Sequence, residues 1–374
     1  MPSIEVRNLR KQYGRKIALQ GLSFSVDEGE LFCLLGPPGA GKTTTLRLIA
    51  GLDRPDEGEI LMDGRRIEDV PPQHRDLAMV FEDMALYPHM TGLGNIAHGL
   101  YLRKIGKEEV LRRVEEMAEL LRIGHLLSRY PQTYSGGERR RVALARGLAR
   151  RPKVLLLDQA LSGLDAKIRQ EMTGEIKALQ QEIGQTMIYA THDFEEGAAM
   201  ADRCLIVRSG QGVQLDDPQT LYVSPDTPFV AGIIGSPAMN LVPCRVEPAD
   251  GNVRFVNPAF RFELPLSLEG EGEVVLGIRP EHMRVASSGG TFRATVEVIQ
   301  TRGLERIVDL RVGDGVNLKT VVSAEIDLAL GQTVEAVISP DRVYVFDAGT
   351  ERRLFPQPLE RSPNRQRDST PREE

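Results

Sequence analysis

Apolar and polar residues alternate in Ile4-Glu5-Val6-Arg7-Asn8-Leu9 and again in Leu22-Ser23-Phe24-Ser25-Val26, the period of strands that bury one face. Glu30-Leu31-Phe32-Cys33-Leu34-Leu35 is apolar after its first residue, which predicts a strand buried on both faces. Thr44 to Gly51 then reads as a helix closed by its glycine, and Asp56 to Gly64 as a turn, a short strand and a turn. The compact run Leu77-Ala78-Met79-Val80-Phe81 predicts a central strand ending at Glu82-Asp83, after which Tyr87-Pro88-His89-Met90-Thr91 leaves the sheet. Between Gly106 and Leu127 the period changes: Val110, Val114, Met117 and Leu121 recur at helix spacing with charges between them. Strands return at Lys153–Asp158 and Thr186–Ala190, with a helix from Lys167 between them. From about Asn240 the strands Val274–Ile278, Phe292–Ile299 and Arg342–Phe346 alternate with turns, and no strong helix is predicted.

This pattern predicts an α/β core over residues 1–235, interrupted by a helical subdomain at about 88–152. A small all-β domain of the barrel kind follows over 236–355. Residues 356–374, rich in Pro, Arg and Glu, read as a disordered tail. The length of 374 residues accommodates such a division.

Charge and cysteine usage narrow the picture. Lys and Arg total 47 against 53 Asp and Glu, a net charge of −6, which gives no support to a nucleic-acid surface spread over the chain. Cys33, Cys204 and Cys244 are far apart among apolar neighbours and read as small core residues, with neither a disulfide framework nor metal-type spacing, so a reducing compartment is expected. Met1-Pro2-Ser3-Ile4-Glu5-Val6 has no apolar secretory stretch, and no run approaches the ~20 apolar residues of a membrane span, so any spanning falls to another chain.

The chemistry is concentrated in Gly36-Pro37-Pro38-Gly39-Ala40-Gly41-Lys42-Thr43-Thr44, which fits G-x-x-x-x-G-K-[ST] between a predicted strand and a predicted helix. Glycines let backbone N–H groups turn inward around anionic oxygens, and the helix N-terminus adds its partial positive charge. Lys42 is placed to reach the outer phosphates, and the Thr43 hydroxyl to hold Mg²⁺. Upstream, Tyr13 beside Gly14 offers an aromatic face to a base, though a loop tyrosine also serves simple packing. Ser135-Gly136-Gly137-Glu138, followed by good helix formers, makes a second exposed helix start and hence a second anion site; an ordinary cap with a solvated arginine face gives the same pattern. Asp158 ends an apolar strand, where a P-loop protein puts its Mg²⁺ carboxylate. His192 falls at the C-terminal end of another strand, where open α/β sheets build ligand sites.

In their order and intervals, Lys42, Ser135-Gly136-Gly137, Asp158 and His192 resemble the ATP-binding subunit of an ABC transporter, over essentially the whole chain except the tail. Ala85–Thr91, taken as helical, and Gly277-Ile278-Arg279-Pro280-Glu281 are similar to the branch that energises sugar, glycerol-phosphate and polyol importers. The resemblance implies two subunits closing head to tail over two ATP molecules, residues 36–44 of one facing Ser135, Gly136 and Gly137 of the other. It implies that Tyr13 stacks on adenine, that Asp165 belongs to the nucleotide site, that Thr43, Asp158 and Glu82 serve Mg²⁺, and that His192 touches the γ-phosphate. Closure would drive two membrane-spanning permease subunits, whose cytoplasmic coupling helices would meet Glu82–Thr91, while a periplasmic or surface solute-binding protein delivers cargo. The subunit would be peripheral, on the cytoplasmic face of the inner (plasma) membrane, with no nucleic-acid partner, and the β domain would be regulatory and add dimer contacts.

Three positions depart from the pattern. Gln159 follows Asp158 where the family has a glutamate that polarises the attacking water; Ala160 stands where proline is usual; Glu82 stands where a glutamine contacts Mg²⁺ and the water. A glutamine orients water but cannot accept its proton, and loss of a general base typically costs about 10²–10⁴ in rate. An engineered Glu-to-Gln trap would account for Gln159 alone, not for Ala160 or Glu82. The expectation is a chain whose own site turns over poorly, paired with a different, complete ATPase subunit, as some polyol importers (glycerol importers among them) are built. Alternatives are a homodimeric active ATPase using Glu82 as substitute base and a soluble ABC protein acting on nucleic acid or ribosomes, suggested by Arg139, Arg140, Arg141, Arg146, Arg150 and Arg151.

Overall fold

The computed structural model describes residues 2–313 and 315–356 apart from residues 267 and 269. The tail expected over 356–374 lies, but for Pro356, outside the described residues. The chain divides into two compact units, Met1–Leu221 and Tyr222–Glu374.

In the first unit the strands run, in chain order, β1 (Pro2–Tyr13), β2 (Lys16–Asp27), β3 (Leu31–Leu35), β4 (Glu57–Met62), β5 (Arg65–Arg66), β6 (Leu77–Val80), β7 (Val154–Asp158), β8 (Thr186–Thr191), β9 (Arg203–Arg208) and β10 (Gln211–Asp216). The helices are α1 (Lys42–Ala50), α2 (Gly92–Leu102), α3 (Lys107–Leu120), α4 (Gly136–Leu148), α5 (Ala166–Ile183) and α6 (Phe194–Met200). The central sheet has the order β10-β9-β3-β8-β7-β6, with β9, β3, β8, β7 and β6 parallel and β10 antiparallel at the edge. Every residue of β3, β7 and β8 is buried, which is why these strands read as unbroken apolar runs. Because the five strands are parallel, the residues that follow them gather at one edge of the sheet: Gly36 after β3, Glu82 after β6, Gln159 after β7 and His192 after β8.

A second, antiparallel sheet, β2-β1-β4-β5, shares its core with the first; Phe24 of β2 stacks on Phe32 of β3 at 5.1 Å between ring centres. Gly51 ends α1 as expected, at φ 77°. The buried Arg75 completes that end by donating to the Leu48 and Ile49 carbonyls at 2.8 and 2.7 Å. The expected helix over Gly106–Leu127 is α3 followed by a short 3₁₀ turn at Gly124–Leu126, and α3 buries Val110, Val114 and Met117.

One expectation is corrected. Ala85–Thr91 is not helical; it is irregular chain with one turn at Pro88–His89, and the helix begins after it, with Thr91 capping α2 through Gly94 N–H. Two causes oppose a helix there. Met84 and Ala85 are left-handed at φ 61° and 44°, and Pro88 has no N–H to give to a helical ladder. The buried Asn95 then fixes the segment, accepting from Tyr87 N–H at 2.8 Å and donating to the Tyr87, Met90 and Thr91 carbonyls.

In the second unit the strands are β11 (Asn240–Ala249), β12 (Asn252–Asn257), β13 (Phe260–Leu264), β14 (Gly272–Ile278), β15 (Met283–Ala286), β16 (Phe292–Arg302), β17 (Glu305–Val312), β18 (Val316–Ser323), β19 (Thr333–Ile338), β20 (Val343–Asp347) and β21 (Arg353–Phe355). They form a sheet of order β13-β12-β11-β14-β20-β21 and another of order β15-β19-β16-β17-β18, around one core rich in Val and Phe. This is the all-β architecture expected. The unit also takes in residues before 236, because the fully buried Arg279 donates to the carbonyls of Tyr222 and Ile234.

Candidate nucleotide-binding site

The loop between β3 and α1 is shaped by contacts that admit little but glycine. A Cβ on Gly36 would lie 2.3 Å from the Val207 carbonyl oxygen. Gly41 sits at φ 108°, and a Cβ there would lie 2.6 Å from the Ala18 oxygen. Lys42, buried at the first turn of α1, folds across the loop and donates from Nζ to the Gly36 and Pro37 carbonyls at 2.7 and 3.1 Å. Burial lowers the pKa of its ammonium, with the Asp158 charge opposing.

Thr43 and Asp158 meet at the same edge: Thr43 Oγ1 donates to Asp158 Oδ1 at 3.0 Å. Asp158 is buried, and its carboxyl pKa is raised first by burial and further by the charge of Glu82, against the Thr43 hydrogen bond that lowers it. Two hard oxygens joined in this way suit Mg²⁺, which takes few protein ligands and completes its shell with phosphate and water oxygens. Among the described residues no group of three or more His, Cys, Asp or Glu could form a dedicated metal cage. Glu82 lies after β6, its Oε1 accepting from Ser162 Oγ at 3.3 Å.

Gln159, at φ 46°, is held by backbone bonds, its N–H on the Ala190 carbonyl and its own carbonyl on Ser162 N–H. Its side-chain Oε1 stands 3.1 Å from His192 Nδ1. Tyr13 is exposed and its hydroxyl donates to Asp53 Oδ2 at 2.8 Å; Arg47 of α1 donates to the same oxygen, and the Lys11 ammonium lies 5.3 Å from the ring centre. Ser135 caps α4 in a reciprocal box: its Oγ accepts from Glu138 N–H at 3.3 Å and its N–H donates to Glu138 Oε2 at 2.7 Å. Because that Oγ is an acceptor within the box, its O–H proton remains available to an outside anion. Gly136 is exposed. Asp165 caps α5, its Oδ1 accepting from Ile168 N–H at 2.9 Å.

The structure therefore gathers Gly36–Thr44, Glu82, Asp158, Gln159 and His192 on one edge. Among the described residues no hydrogen bond joins that group to Ser135–Gly137. Sequence reasoning missed Asp53 and Arg47, which tether Tyr13, and Ser162, which holds Glu82; each is a common residue in a turn or helix with no motif to mark it.

A strand, glycine-rich loop and helix at the carboxyl edge of a parallel sheet define a P-loop nucleotide-binding protein. Comparison with known proteins is more specific. The ABC transporter family profile matches residues 19–162, the MalK OB fold domain 235–283 and the TOBE domain 276–346. The trehalose/maltose import ATP-binding protein MalK of Thermococcus litoralis is 42% identical, over 95% of this chain and 100% of its own. The sn-glycerol-3-phosphate import ATP-binding protein UgpC of Ruegeria pomeroyi is 40% identical, over 95% and 99%. A solved dimer of the ATP-binding cassette MJ0796 bound to ADP and Pi aligns with a TM-score of 0.52 at 28% identity, covering 57% of this chain and 98% of that one. The chain belongs to the ATP-binding protein family of ABC transporters, with the C-terminal OB and TOBE domains of its MalK-like members.

Proposed function

We propose that the chain is the ATP-binding subunit that energises import of a carbohydrate or polyol, and that its own catalytic site binds Mg²⁺–ATP but hydrolyses it poorly. Relatives named for trehalose/maltose, glycerol-3-phosphate and sulfoquinovosyl glycerol transport support the cargo class. No helix among the described residues is long and apolar enough to cross a membrane, in keeping with a subunit that works on two separate permease chains. On this reading it lies against the cytoplasmic face of the membrane, and a solute-binding protein outside supplies the cargo.

The loop amides of Gly36–Thr44 and Lys42 would grip the phosphates, Tyr13 the base, and Thr43 with Asp158 the cation. Bound Mg²⁺ would neutralise charge on the outer phosphates. His192 would meet the terminal phosphate, and Ser135–Gly137 would complete the site of the opposing subunit.

The single observation that carries the impaired-site reading is Gln159 at the end of β7, its amide against His192 where a proton acceptor is required. A carboxamide has no basic lone pair to take the proton of an attacking water. The intact cradle and intact Ser135–Gly137 turn then favour pairing with a different, complete ATPase. The experiment is steady-state ATP hydrolysis by the purified chain alone and with its partner subunits: turnover only in the assembly supports the reading, and robust turnover by the chain alone defeats it. Glu82 supplies a second reading, because its charge reaches Asp158 and its carboxylate is positioned at the same edge. If it is a substitute base, Glu82→Gln abolishes whatever turnover the chain has alone.

A further inference from the structure

Met84 and Ala85 stand one after the other in the left-handed backbone region, at φ 61° and 44°. Side chains with a Cβ rarely occupy that region, and two in succession persist only where their surroundings hold them. Here one side chain takes both of their carbonyl oxygens. Arg146 donates from Nη2 to the Met84 oxygen at 2.8 Å and from Nη1 to the Ala85 oxygen at 2.6 Å, and its guanidinium carbon lies 5.8 Å from the centre of the Tyr87 ring. Met84 N–H closes the turn on the Phe81 carbonyl at 3.0 Å, and the Met84 side chain is buried.

Arg146 lies in the last turn of α4. Arg140 of the same helix donates to the Ser162 carbonyl, and the Ser162 hydroxyl donates to Glu82 Oε1 at 3.3 Å. One helix therefore holds the segment carrying Glu82 twice, at the carboxylate through Arg140 and Ser162, and at the following backbone through Arg146. Releasing the second hold would let Met84 and Ala85 return to ordinary backbone angles, which redirects the chain only two residues from Glu82.

We propose that Arg146 is a positioning residue: its fork keeps the Met84–Ala85 turn left-handed and so sets where the Glu82 carboxylate stands relative to Asp158. The functional half of this rests on the reading of Glu82 as a group beside the metal. A planar fork is required because two carbonyls are held at once, which a lysine's single ammonium does not reproduce.

The test uses the full-length chain carrying Arg146→Met, Arg146→Lys, Ala85→Gly, Arg146→Met with Ala85→Gly, and Glu82→Gln. Two quantities are read: the affinity for a fluorescent ATP analogue with and without Mg²⁺, and hydrogen exchange of the amides of residues 84–90. Arg146→Met is expected to speed exchange in that segment about tenfold or more, the scale of losing a hydrogen bond from a charged donor, and to reduce the Mg²⁺ enhancement of binding about threefold to tenfold. Mg²⁺-free binding stays within about twofold. Arg146→Lys falls between, and serves if the methionine variant does not fold. The discriminating result is the double variant: glycine at 85 accepts one of the two left-handed positions without a clamp, so it recovers part of the slow exchange and of the Mg²⁺ effect, which general loss of packing at Arg146 would not allow. Unchanged exchange in Arg146→Met, or no recovery in the double variant, overturns the proposal. If Glu82→Gln leaves the Mg²⁺ effect untouched while Arg146→Met still speeds exchange, the clamp stands and the reading of Glu82 is what fails.

Discussion

The amide oxygen of Gln159 faces Nδ1 of His192 at 3.1 Å, across the ends of β7 and β8. With that oxygen as acceptor, Nδ1 carries the proton and a neutral ring turns a bare Nε2 outward, the wrong sense for an anionic phosphate. Rotating the amide makes it the donor and puts Nε2–H outward. A carboxylate at 159 cannot donate, but it can accept the proton of a water. Gln159→Glu is therefore expected to raise the rate of ATP hydrolysis by the purified chain alone, where its own site is the one read, about 10²–10⁴-fold, with ATP affinity within about threefold, because the cradle is untouched. Steady-state phosphate release compared with equilibrium nucleotide binding checks both halves. No gain in rate would show that proton acceptance at 159 is not what limits this site.

The phosphate loop makes a separate prediction from sterics alone. Gly36→Ala places a methyl group 2.3 Å from the Val207 carbonyl oxygen, and Gly41→Ala adds a left-handed backbone to a contact of 2.6 Å with Ala18. Backbone is on the other side of both contacts, so neither is relieved by a rotamer change. Each substitution should cost about 2–4 kcal/mol of stability and at least tenfold in nucleotide affinity, read by thermal unfolding and by titration. Normal binding by either variant would mean that the loop moves more freely than these contacts allow.

Much of this site was legible because its chemistry is local in sequence. The glycine spacing of 36–41 follows directly on the apolar run of β3, and the apolar runs of β7 and β8 are each followed at once by polar residues, Asp158-Gln159 and Thr191-His192. What escaped was set by tertiary contact. Nothing near Ala85 announces a left-handed turn; it exists because Arg146, far along the chain, takes two carbonyls there, and because Asn95 consumes four backbone groups of the same segment. Helix α2, Gly92–Leu102, falls within the helical subdomain expected over about 88–152 but is not delimited there, because three glycines among its eleven residues weaken any helical pattern; it is held by burial of Ile96, Ala97 and Leu100. The OB-like unit was readable as strands, but the role of Arg279 in gathering residues 222–235 was not: the motif Gly277-Ile278-Arg279-Pro280-Glu281 carries the resemblance without saying which distant carbonyls its arginine meets.

Asp158 gives the chain a pH signature. Its pKa lies above 3.8, raised by burial and by the charge of Glu82. The native state thus keeps this proton to a higher pH than the unfolded chain does. The relative stabilisation is complete below the unfolded value and is lost as pH rises through the folded one, so at neutral pH the buried charge is a full penalty. Asp158→Asn removes it while Oδ1 still accepts from Thr43. The nucleotide-free variant should melt above the parent at pH 7, and the difference should shrink as pH falls through the folded pKa. Saturating Mg²⁺–ATP, worth about 2.7 kcal/mol at a hundred times Kd, should stabilise the parent far more than the variant. Melting curves at two pH values, with and without Mg²⁺–nucleotide, test this; a variant that melts lower at pH 7 without nucleotide would contradict it.

Arg279 is fully buried, stacked 3.7 Å from the centre of the Tyr222 ring, and donates to the carbonyls of Ile234, at 2.9 Å, and Tyr222. Burial pushes its pKa down to about 10, with Tyr344 opposing, so the guanidinium is still charged at neutral pH. Removing it strands two carbonyls that have lost their donor. Arg279→Met keeps much of the volume and should cost about 2–4 kcal/mol. Arg279→Lys should rescue only part of that, because a single ammonium cannot stack on Tyr222 and reach both oxygens. The damage should be confined to the unit that begins at Tyr222: in denaturant titrations its transition moves to lower concentration, while binding of nucleotide at Gly36–Thr44 is unchanged. Equal loss of nucleotide affinity in Arg279→Met would show that this arginine matters beyond its own unit.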